Sequence, residues 1–137
     1  MKKMTRIFLP LCMVFAIPFL VFAGDFDGSA PLLCALAETF ECDGVENCQS
    51  GTPQDVNIPQ FLRIDFKSNM ISGKQIGGEK RTTQINNMVK HDGRLILQGT
   101  QEGMGWSMVI MESTGKMTLT ASGEDVGFAV FGACTLD

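Results

Sequence analysis

Side chains able to do covalent or metal chemistry are few in this chain: five cysteines (Cys12, Cys34, Cys42, Cys48 and Cys134), one histidine (His91) and scattered carboxylates among 137 residues. Any Ser-His or Cys-His mechanism must run through His91, which sits beside the turn dipeptide Asp92-Gly93 and so at the surface. The serines fall at turns or on strand faces, without the elbow spacing a nucleophile uses. Glu38 and Glu41 offer a carboxylate pair of the kind sugar hydrolysis needs, but a glycosidase also needs a long groove that so short a chain seldom builds. The residue types read as noncatalytic.

Metal chemistry meets similar obstacles. A zinc site wants reduced thiolates at close spacing, and no CxxC occurs. Asp25-Phe26-Asp27-Gly28-Ser29 resembles part of a calcium loop, yet setting Gly28 at the sixth place puts Ala23 first and Cys34 twelfth, where oxygen ligands are required; a flexible acidic terminus is expected instead. Met104, Met108 and Met111 beside Trp106 and His91 have the ingredients of a Cu(I) site. A hairpin turning over Gln101 to Gly105 pairs residues whose numbers sum to about 206, which sends His91 to the far end from Trp106. No metal and no cofactor is expected.

That hairpin is the candidate binding surface. Gly99, Gly103 and Gly105 allow motion around Trp106, and Glu102 and Met104 have no evident core role, so Glu102, Met104 and Trp106 form the candidate ligand or partner site. Trp106 reads equally as a contact anchor or as the core tryptophan of a small barrel.

The cysteines depend on compartment. Lys2, Lys3 and Arg6 precede an apolar run from Ile7 to Phe22, and Val21-Phe22-Ala23 ends on a small residue before Gly24, which predicts a cleavable signal peptide over 1–23 and a periplasmic or secreted protein. Pro10 and Pro18 interrupt that short run, so no stable membrane insertion is expected after cleavage. Cys12 departs with the signal; Leu11 before it is not the small residue that lipidation uses. Four cysteines then oxidise to two disulfides. With 31–41 read as a helix, Cys34 and Cys42 would lie about 12 Å apart, too far to bridge. The expected pairs are Cys42-Cys48, around Gly44 and Asn47, and Cys34-Cys134, tying the helix to the last strand.

Stepping outward, apolar residues make up 45% of the chain and charged residues 19%, which excludes disorder and coiled coil and supports one domain over 24–137. Without Lys2, Lys3 and Arg6, eight basic residues face fifteen acidic ones, and the stretch 24–60 holds no Lys or Arg at all. Nucleic-acid binding lacks its electrostatic footprint. Leu33, Leu36, Ala37 and Phe40 recur at helical spacing behind Pro31, predicting one short helix over 31–41. From Cys42 to Pro59 the composition is that of an ordered connection. Period-two runs near 59–67, 69–73, 81–90, 94–101, 106–112, 116–122 and 126–134 predict seven antiparallel strands in a meander, curled into a small barrel or folded over the helix. Ile85 and Met88 fall on opposite parities, so the third run carries a bulge near Asn86 and Asn87 or exposes an apolar residue.

The stretches FDGSAPLLCA (26–35), IPQFLRIDF (58–66), DGRLILQG (92–99), GWSMVI (105–110) and GFAVFGAC (127–134) resemble an uncharacterised group of small exported proteobacterial β proteins with no assigned activity. In architecture alone the chain is similar to small periplasmic barrels that inhibit lysozyme, without their inhibitory loop. The expected function is a noncatalytic exported protein that binds a protein or small molecule; the alternatives are an inhibitor of an envelope-directed hydrolase and a small hydrolase.

Overall fold

A computed structural model describes residues 26–137; the expected signal peptide lies outside them. The described chain is all-β. In order it forms β1 (Leu32–Asp43), β2 (Cys48–Gly51), a 3-10 turn (Pro53–Val56), β3 (Phe61–Asp65), β4 (Met70–Lys74), β5 (Lys80–Gln84), β6 (Asn87–His91), β7 (Arg94–Gln101), β8 (Met104–Met111), β9 (Lys116–Ser122) and β10 (Val126–Leu136). All pairings are antiparallel, in the order β5-β4-β3-β1-β10-β9-β8-β7-β6, with β2 on the remaining stretch of β1. The sheet curls into a half-barrel around one apolar core. Among the described residues no helix is long and apolar enough to cross a membrane.

The seven expected runs are all strands, with the third divided into β5 and β6. The expected helix over 31–41 is instead β1, and with β2 this brings the described strands to ten. The reason lies in one extra residue. Leu32, Cys34 and Leu36 alternate inward, then the ladder with β10 shifts between Leu36 and Glu38, so the next buried position is Thr39. That bulge turns a step of two into a step of three, and apolar Leu33, Ala37 and Phe40 on the other face complete a false helical pattern. The meander is therefore joined at its ends by a strand: β1 pairs with β10 along one edge and with β3 along the other.

Near-flat Gly132 serves this pairing, because a Cβ there would collide with the Ala35 carbonyl of β1. Both expected disulfides form between residues in register, Cys34 with Cys134 on β1 and β10 and Cys42 with Cys48 on β1 and β2. The first ties strand to strand, where a helix was expected. In an extended β1 the eight-residue step from Cys34 to Cys42 spans about 26 Å, so their mutual exclusion holds for a different reason.

β5 and β6 are the two edges of the sheet yet follow one another in the chain. Between them Ile85 N–H donates to the Asn69 carbonyl at 2.8 Å on the β4 side, and Asn86 N–H donates to the Gln98 carbonyl at 2.8 Å on the β7 side. The expected irregularity near Asn86 is thus the place where one extended segment changes partners, with Ile85 buried. The core comprises Leu32, Leu36, Leu62, Ile64, Ile71, Ile85, Leu95, Leu97, Trp106, Met108, Ile110, Met117, Leu119 and Val130 with the Cys34-Cys134 bridge. Leu62 and Ile64 point inward as the alternation requires, and Phe66 packs partly buried against them.

Residues 26–29 are held rather than loose. Phe26 packs against the core and its N–H donates to the Glu112 carbonyl at 3.1 Å. The Asp27 carboxylate accepts the Ser29 N–H at 2.9 Å and pairs with Lys90 at 3.4 Å.

Candidate functional site

An apolar cavity of about 110 Å³ opens at the end of the curled sheet beneath the β7–β8 turn. Leu62, Ile71, Trp106, Met108, Leu119 and Ala121 line it, supplied by β3, β4, β8 and β9. Ile58 and Pro59 close one side, and Ser72, Thr82 and Thr83 add hydroxyls. Glu102, Met104 and Trp106 all belong to this lining, so the three residues singled out by sequence share one cavity.

The turn that carries Glu102 is two residues long. Gln101 pairs with Met104, and Glu102 and Gly103 take φ of 50° and 82°, the left-handed pair that a tight hairpin needs to match the strand twist. The turn is therefore shorter than the expected Gln101 to Gly105, and pairs sum to 205, one less than expected. Trp106 consequently faces Gly99, and Leu95 faces Ile110. Gly99 is not a hinge: a Cβ there would lie 2.6 Å from Trp106 Cε2 and 2.5 Å from the Gln84 carbonyl, so its bare backbone is the bed on which the indole lies.

Trp106 is 9% exposed and part of the core, as the second of its two readings has it, and its ring also forms the cavity floor. Its indole N–H donates to Thr83 Oγ1 at 3.2 Å. Met104 turns its side chain toward Gly123 in the β9–β10 connection.

Arg81 spans the mouth. One guanidinium nitrogen, Nη1, donates to the Asn57 carbonyl at 3.0 Å, and Nη2 pairs with Glu102 Oε2 at 3.1 Å. Arg81 and Glu102 are the charged side chains of the lining. Sequence reasoning missed Arg81 and Thr83; the available sign was their parity with Ile85, which puts a cation on the inward side of a strand. Ile58, Pro59, Leu62 and Ile71 could not be assigned to the cavity without knowing that β3 and β4 curl round to meet the β7–β8 turn.

The other chemical candidates stay apart. His91 pairs with Arg94 at the opposite end of β7 from the Gln101–Met104 turn. Glu38 and Glu41, both beyond the bulge and three residues apart in a strand, sit on opposite faces. Met108 does line the cavity with Met104 and Trp106, but Met111 pairs with Arg94 near His91, so the set named for Cu(I) is divided between the two ends of the hairpin. Among the described residues no group of three or more His, Cys, Asp or Glu side chains is placed to hold a metal. No protein-family model, curated protein or solved structure matches the chain.

Proposed function

We propose that the protein is an exported, noncatalytic binding module of the small exported β class its sequence resembles, and that it takes an apolar group into the cavity over Trp106. The observation that carries this reading is the cavity itself: space of about 110 Å³ left among Leu62, Ile71, Met108 and Leu119. Interiors close-pack, and a dry apolar cavity of this order accepts a six-carbon ring or short chain. The two disulfides are compatible with export. A hydrolase would want converging carboxylates, and the cavity lining offers Glu102 alone.

Fluorescence tests the reading directly, because Trp106 is the chain's one tryptophan and there is no tyrosine. N-phenyl-1-naphthylamine should insert its phenyl ring with the naphthyl left at the mouth, bind the parent saturably, quench Trp106 emission and lose affinity in Ala121→Leu, whose larger side chain fills the cavity. Met104→Ala, which removes one wall of the cavity, should weaken dye binding while leaving melting nearly unchanged. A parent that neither binds the dye nor changes its emission would refute the proposal. Export is checked separately by intact mass: the mature chain should begin at Gly24 with all four cysteines oxidised.

A further inference from the structure

The charge at the mouth of the cavity narrows what can enter it. Arg81 lies on the inward parity of β5, opposite Gly73 of β4, and its side chain is 30% exposed, whereas that of Glu102 is 66% exposed. The cation is thus the more deeply seated member of the pair, with the carboxylate laid over it from the solvent side. Arg81 does not depend on Glu102 for its aim. Its Nη1 is fixed on the Asn57 carbonyl at 3.0 Å, and the same carbonyl accepts Gln75 Nε2 at 3.0 Å, so the loop after the 3-10 turn holds the guanidinium in place. Glu102 engages Nη2 alone, at 3.1 and 3.4 Å to its two oxygens.

We propose that the ligand is an amphiphile with a short apolar tail and a carboxylate head, and that its carboxylate displaces Glu102 from Arg81. The inference rests on the binding reading above and assigns the chemistry of the head. An exposed ion pair contributes little net stability, since both partners are well hydrated when apart. Exchanging Glu102 for another carboxylate therefore costs little, and the released Glu102 returns to water. The incoming group differs in one respect: its tail is buried over Trp106 at the same time. Guanidinium presents five N–H donors in a planar fork, and donors beyond those used by Asn57 remain for an incoming carboxylate. Glu102 thus acts as an internal stand-in for the ligand's head. A cationic amphiphile would meet a carboxylate already neutralised by Arg81, which stays fixed on Asn57 and repels a second cation.

Three probes of eight carbons each decide it: octanoate, octanol and octylammonium at pH 7, each titrated against Trp106 emission and dye displacement. Octanoate should bind a few-fold more tightly than octanol, with octylammonium weakest. Arg81→Gln should bring octanoate down to the octanol level and leave octanol within about twofold, the charge-assisted contact being lost and the tail contact kept. Glu102→Gln should act in the opposite direction and strengthen octanoate several-fold, because the competitor is gone. A pair with only a structural role would weaken octanoate in both variants, and that result overturns the inference. Octanol binding as well as octanoate in the parent overturns the head assignment and leaves the apolar cavity reading standing. Failure of the dye and all three probes sinks both.

Discussion

The indole N–H of Trp106 donates to Thr83 Oγ1 at 3.2 Å, joining β8 to β5, two strands that share no ladder. The bond spans the cavity floor and ties the β7–β8 hairpin to the far edge of the sheet. Thr83→Val keeps the shape and removes the acceptor, leaving a largely buried donor unpaired, which costs about 1 to 3 kcal/mol. Chemical denaturation should show that loss, and Trp106→Phe made in the Thr83→Val background should cost less than the same change in the parent.

Gly99 and Gly105 flank the tryptophan in opposite circumstances. A Cβ at Gly99 meets Trp106 Cε2 at 2.6 Å and the Gln84 carbonyl at 2.5 Å, whereas one at Gly105 meets nothing within 4 Å. Gly99→Ala should destabilise by about 1 to 3 kcal/mol through forced displacement of the ring, with a red shift of its emission. Gly105→Ala should stay within about 0.5 kcal/mol of the parent. Equal melting temperatures for the two variants would contradict the close approach of Gly99 to the indole.

The two disulfides close loops of very different size, with sequence separations of 100 and 6. On the chain-entropy account the larger loop contributes about 4.7 kcal/mol and the smaller about 2 kcal/mol. Replacing Cys34 and Cys134 together by Ala should therefore lower stability about twice as much as replacing Cys42 and Cys48, measured by denaturant unfolding. The buried position of Cys34 works in the same direction.

Acid should act through three aspartates. The Ser29 hydroxyl and then its backbone N–H hold the Asp27 carboxyl at about 2 in place of 3.8, with help from Lys90. The Thr52 N–H and hydroxyl lower Asp55, and the Ser68 N–H foremost lowers Asp65. Because each folded-state value lies below the unfolded one, the unfolded chain binds more protons in this window. The contribution is present above about pH 4 and disappears as the pH falls toward 2. Asp27→Asn should flatten the fall in melting temperature over that interval; an unchanged slope would remove Asp27 from the account.

Most strands after Pro59 were legible because they bury one face, so Leu62 and Ile64 alternate with Arg63 and Asp65 without interference, whereas β6 is exposed along its length and was read only as a continuation of β5. β1 was not legible because Leu33 and Phe40 make its outer face apolar as well, and the bulge after Leu36 supplies a three-residue step that belongs to helices. The hairpin register slipped by one because Glu102-Gly103 and Gly103-Met104-Gly105 both look like turn material, and only φ decides between them. The binding residues on that hairpin could be chosen from one local segment. Arg81, Leu62 and Ile71 reach the same cavity through curl of the sheet, which no short stretch of sequence encodes.

The bridge between Cys34 and Cys134 has one more effect, on what a protease can achieve. It joins the first long strand to the last, so almost every peptide bond of the folded domain lies inside a covalent ring. Exposed bonds around Ile76 and Gly77 and at the Asp92-Gly93 and Glu102-Gly103 turns are all within it. A single cut there adds one water, opens the ring and yields two new termini, yet the pieces stay joined through the bridge and β1 stays beside β10. Shedding a fragment from within the ring takes two cuts, or one cut together with reduction of the Cys34-Cys134 bridge.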